Sequence, residues 1–138
     1  MTPLTETALL ARLDGLGFKS VLSVSDAVGG VNSQLAPAAF VGFGGYSVEE
    51  SSADSRASRI EEVWNIYIVT KQAKQKGAQE GRSESLTLAR AAFLAIAGFI
   101  PSHSKSPFVP ISPSDSPSWD SGFSWITLTF THQTILKA

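Results

Sequence analysis

The chain has 138 residues, of which 43% are hydrophobic and 17% charged, with a formal net charge of −1 and no Cys. That length predicts one domain over 1–138 with a core burying roughly two-thirds of the unfolded surface, and zero Cys excludes disulfides, thiolate catalysis and cysteine metal sites. The charge lacks the basic excess of a protein whose main task is holding nucleic acid, and roughly one residue in seven is Ser, so the surface is near-neutral and suits packing against copies of itself. Thr2-Pro3 opens a helix over residues 3–15, with Leu9, Leu10, Leu13 and Leu16 at helical spacing and Gly15 and Gly17 ending it. The N-terminus shows no basic region followed by an apolar run, and no apolar stretch reaches the about 20 residues of a membrane span, which predicts a soluble intracellular protein without a membrane partner.

Residues 18–25 read as a strand through Val21, Leu22 and Val24, and the Gly29-Gly30 stretch as a turn. A second strand covers 40–44, where the glycines mark a close backbone approach. Residues 47–59 form an exposed hairpin arm or loop, rich in Ser, Glu and Asp. The next strand, 63–69, puts Trp64, Ile66 and Ile68 on one face and Val63, Asn65, Tyr67 and Val69 on the other. With both faces largely apolar, it is either a central strand covered by a helix or one with a face turned to another subunit.

Lys71 to Arg82 reads as a mobile loop, without apolar periodicity and with two glycines. A second helix starts at Ser83 and ends at Gly98, its apolar stripe made of Leu86, Ala89, Phe93, Ile96 and Ala97. A Pro/Ser segment fills 101–121, with a short edge strand at 108–111, and the last strand runs from Phe123 to Ile135. The order α-β-β-β-α-(β)-β gives an α+β chain: two helices and a mostly antiparallel sheet of four to five strands.

Chemistry is sparse. Gly42-Phe43-Gly44-Gly45 has no Lys-Ser/Thr pair after it, so it is no phosphate loop. His103 and His132 lack ligand spacing, the nucleophile-elbow pattern is absent, and Glu49-Glu50 and Glu61-Glu62 point to opposite faces of their strands as solvated arm ends. No catalytic residue, metal or cofactor is expected. The candidates are assembly contacts: the arm with Glu49, Glu50, Arg56 and Arg59, and a basic patch of Lys71, Lys74, Lys76 and Arg82, able to meet an acidic arm on a neighbouring copy head to tail. Trp64 belongs to the core and Trp125 is half-buried, whereas Trp119, in the Ser/Pro segment, either plugs the core's edge or anchors an interface.

Leu13-Asp14-Gly15-Leu16-Gly17-Phe18 closing a short helix, Pro37-Ala38-Ala39-Phe40-Val41 entering a strand and the Trp64-Asn65-Ile66-Tyr67-Ile68-Val69 strand come in a characteristic order. An Ala-rich helix closing in Ala97-Gly98-Phe99-Ile100-Pro101 and a final aromatic strand around Phe123-Ser124-Trp125 complete it. In this order the chain resembles the tail terminator proteins of Mu-like and lambda-like tailed phages and prophages, over nearly its whole length. The resemblance implies a virion structural protein and not an enzyme. Its subunits form a hexameric ring on the finished tail tube that stops polymerisation and joins the head connector. Self, tube protein and connector are the partners it implies, with DNA passing the lumen unbound. A neck or head-completion protein, or a small ligand-binding or enzymatic α+β domain, is the alternative.

Overall fold

The computed structural model describes residues 3–24, 36–71, 77–112, 119–120 and 123–137. Helix α1 (Pro3–Leu13) is followed by strands β1 (Ser20–Ser23), β2 (Ala38–Ser51) and β3 (Ala57–Lys71), helix α2 (Gly77–Ile96), and strands β4 (Val109–Ile111), β5 (Trp119–Asp120) and β6 (Phe123–Lys137). The sheet runs β1-β2-β3-β6-β4, and the two-residue β5 also pairs with β6. Only β1 and β2 pair in parallel; the other pairs are antiparallel, so the chain is α+β with a mostly antiparallel sheet. The edge strand expected at 108–111 is present as β4.

Both helices pack on one face of this sheet. Leu9 and Leu13 of α1 and Leu88, Ala89, Ala92 and Ile96 of α2 close over Val41, Trp64, Ile66, Ile68 and Phe130. The alternation of Trp64, Ile66 and Ile68 therefore selects the helix-covered face. Arg12 ties the helices together: its Nε donates to the Ala95 carbonyl at 2.7 Å and its guanidinium lies 4.7 Å from the centre of the Phe99 ring. On the opposite face Ala38, Phe40 and Val69 form a smaller cluster with Tyr67 and Trp125, and Thr129 Oγ1 donates to Asn65 Oδ1 at 2.8 Å. No described helix covers that face.

Three expectations need correction. Residues 77–82 are helical rather than a loop. Ala78, Gln79, Glu80 and Arg82 are good helix formers that extend the helix ahead of its apolar stripe, and apolar periodicity gives no signal in a stretch of polar helix formers. The core stripe of α2 is also displaced: Leu86 and Phe93 are 58% and 38% exposed, while Leu88 and Ala92 are buried. Finally, β2 and β3 extend far past their apolar runs, because their ladder continues through the polar residues up to Ser51 and Ser58.

Gly44 shows why the second strand carries glycine. A Cβ there would stand 2.9 Å from Asn65 Nδ2 and 3.0 Å from Val63 Cγ1, so the close approach read from the sequence is real. Gly45 follows with φ +106°, at the irregularity between Phe43 and Tyr46.

Candidate functional site

Past the helices the sheet narrows to an arm three strands wide: Tyr46–Ser51 of β2, Ala57–Glu62 of β3 and His132–Lys137 of β6. Its tip is closed by short polar side chains. Ser52 Oγ donates to Asp54 Oδ1 at 2.7 Å and accepts from the Ala57 amide at 3.1 Å, while the Arg56 amide donates to Asp54 at 3.2 Å. The Ser52 hydroxyl, and after it the Arg56 amide, hold the Asp54 carboxyl below its ordinary value. The expected exposed hairpin is thus a continuous ladder with a capped turn.

The arm collects four of the anticipated contact residues. Glu50 and Arg59 form an exposed pair at 3.3 Å across β2 and β3, and Arg56 stands 3.8 Å from Asp54 at the tip. Glu49 accepts from Ser47 Oγ at 2.6 Å and is the extra residue of a bulge, since Val48 and Glu50 face consecutive residues Ile60 and Arg59. Lys71 is exposed at the far end of β3, away from the arm. Lys74 and Lys76 lie outside the described residues, as do the side chains of Arg82 and Trp119; the Trp119 backbone pairs with Ser124 as part of β5.

A feature that the sequence reading missed sits at the root of the arm. Glu62, expected in solvent, is fully buried, facing His132 across β3 and β6. Its Oε1 is 3.6 Å from His132 Nδ1, and His132 Nε2 meets Ser104 Oγ at 3.0 Å. Phe108 stacks on the His132 ring at 4.6 Å, and His103 Nε2 meets Thr5 Oγ1 at 3.1 Å. Burial pushes His132 below the ordinary histidine value, against the opposing pull of the Ser106 backbone. Burial, then the charge of His132, lowers His103 as well. Burial thus favours the uncharged imidazole, and the contacts of His132 with Ser104 and Phe108 pin the 101–108 segment against β6. The signal was in the alternation: Glu62 shares the phase of Trp64, Ile66 and Ile68, and His132 that of Leu128 and Phe130.

The succession Ser104, His132, Glu62 has the order of a hydrolytic triad. Its surroundings are structural: Ser104 Oγ accepts the Ser106 amide at 3.1 Å, and the Ser104 amide donates to the Pro101 carbonyl at 3.0 Å, so these amides are committed to the turn rather than aimed at a reacting oxygen. Among the described residues no group of three His, Asp or Glu could hold a metal, and no helix is long and apolar enough to cross a membrane.

Beside this cluster a cleft of about 470 Å³ runs along the outer edge of β6. Arg59, His103, Lys105 and Lys137 line it with Gln133 and Ile135, and among the described residues no carboxylate does. The arm therefore carries acidic side chains along β2 and a basic cleft along β6.

The family model described as "Phage tail terminator protein" matches residues 1–138. Among solved structures, a chain of the "Virion of native gene transfer agent (GTA) particle" shares the fold with a TM-score of 0.61 at 15% identity, over 96% of this chain and 98% of that one. No curated protein matches in sequence.

Proposed function

The chain belongs to the phage tail terminator family, and from that premise we propose that it caps the finished tail tube as a homo-oligomeric, six-membered ring. The family match over residues 1–138 carries this reading. In it the ring ends tube polymerisation and offers the joining surface for the head connector, while DNA passes its lumen without being held. The near-neutral charge supports that passage, since a strongly basic lumen would retain phosphate. The exposed arm supports assembly: Tyr46, Val48 and Ile135 are 54%, 56% and 60% exposed, apolar surface that a contact between copies would cover. The chain acts as one domain, with Glu49, Glu50, Arg56, Arg59, Lys71, Lys74, Lys76, Arg82 and Trp119 as its assembly contacts in this reading.

Electron microscopy of particles from a gene deletion tests the reading. Overlong tubes, or tails without heads whose lengths vary, are the expected outcome, reversed by supplying the protein in trans. Headless tails of normal, uniform length would make it a neck protein instead, and normal particles would remove the assembly role.

A further inference from the structure

The arm has two free sheet edges. On its outer side β2 pairs with β1 only from Ala38 to Val41, and β6 pairs with β4 only up to Thr131. Beyond those points neither outer edge has a strand partner among the described residues. Long open edges invite pairing with another chain, and proteins that must stay monomeric blunt them.

These two edges are chemically opposite. Glu49 and Glu50 stand exposed along β2, Glu50 in its pair with Arg59 of β3, while Lys105 and Lys137 line the cleft along β6. Each edge also presents bare apolar side chains, Tyr46 and Val48 on β2 and Ile135 on β6. The geometry points to a second copy of this chain as the occupant: the β2 edge of one subunit lies in the β6 cleft of the next and continues the sheet from copy to copy. This rests on the ring reading above and specifies its joint.

Strand direction and charge both select that arrangement. Because β2 and β6 each run antiparallel to β3, they run parallel to one another. Copies related by rotation about an axis along the strands keep this direction, so β6 meets the next β2 in parallel, and the head-to-tail joint repeats until the ring closes. The two-fold alternatives are opposed by charge, because β6 on β6 sets lysines against lysines and β2 on β2 sets glutamates against glutamates.

Charge exchange tests the joint. Lys105→Glu with Lys137→Glu makes one variant, and Glu49→Lys with Glu50→Lys the other. Either alone faces like charge at every joint and should assemble at least about tenfold less well by native mass. A mixture of the two should recover wild-type assembly, because alternating copies restore opposite charges at each joint of an even-membered ring. Incorporation into tails of the deletion strain gives the same comparison where rings form only on tubes. All four residues are exposed, so the melting temperature should hold; if it does not, Glu49→Cys mixed with Gln133→Cys, in a chain with no native Cys, should still give disulfide-linked dimers on oxidation. Rings from both single-sign variants, a mixture that fails to recover, or no cross-link would overturn this joint and leave the ring standing. A wild-type protein that never self-associates, even in particles, would overturn both.

Discussion

The residue that most constrains this molecule is His132, because its ring is buried and burial disfavours its charged form. Its ring is stacked on Phe108, bonded to Ser104 and faced by Glu62 and His103. Burial lowers its proton affinity in the fold, so the unfolded chain binds more protons at mildly acid pH. Stability is then fully present above the ordinary histidine value of about 6.5 and is lost as pH falls below it toward the folded value. The melting temperature should drop between pH 7.5 and 5.5, and His132→Asn should flatten that dependence; an equally steep profile in the variant would assign it elsewhere. Gly44 sets a second residue-scale test. Gly44→Ala presses a methyl group onto Val63 and Asn65 and should cost about 1–3 kcal/mol in denaturant unfolding. Both sites share a lesson. The approach of β2 to β3 was legible because glycine inside a strand is conspicuous. Glu62 was misread because its carboxylate outweighed its register, although strict alternation from Trp64 placed it inside.

Among the elements, the helices and central strands were legible because their apolar residues repeat with the right period. What was not legible is where backbone pairing outlasts apolar patterning. The ladder of β2 and β3 runs on through Ser47, Glu50, Arg59 and Ser58, since an antiparallel hairpin satisfies its backbone whatever its side chains. The parallel pairing of β1 with β2 was equally hidden, because periodicity within a strand carries no information about its neighbour. In α2 Leu86 and Phe93 of the expected stripe lose the core face to Leu88 and Ala92. The alanines decide the outcome, letting the helix sit close to β3 through Ala89 and Ala92 while Leu86 and Leu94 turn outward. Truncation separates the two faces: Ile96→Ala should cost roughly 2–5 kcal/mol as a cavity in the core, and Leu94→Ala no more than about 0.5 kcal/mol as a surface change. Comparable losses at both positions would contradict this orientation. The charged residues of the arm follow the same division: Glu49, Glu50, Arg56 and Arg59 stand out in the sequence by their charge density, whereas Lys105 and Lys137 of the cleft do not, because they are far apart in sequence.

At the scale of the whole molecule, the helix-covered body and the bare arm answer different demands. The body buries Leu9, Leu13, Ile66, Ile68, Ile96 and Phe130 completely, which secures the fold of an isolated subunit. The arm is held by its ladder, its capped tip and the buried pair at its root, and it leaves Tyr46, Val48 and Ile135 in solvent. A segment with few buried apolar contacts opens locally at less than the global cost, so its amides exchange sooner than those of the body. Hydrogen exchange on the free subunit should therefore be fast at Ser47–Ser51 and Gln133–Lys137 and slow at Ile66–Val69. On assembly onto tail tubes the contrast should collapse, because a neighbouring strand would supply partners to the outward amides of both edges together. Protection of only one edge would mean that something other than an identical copy covers it, since every subunit of a closed ring must use both.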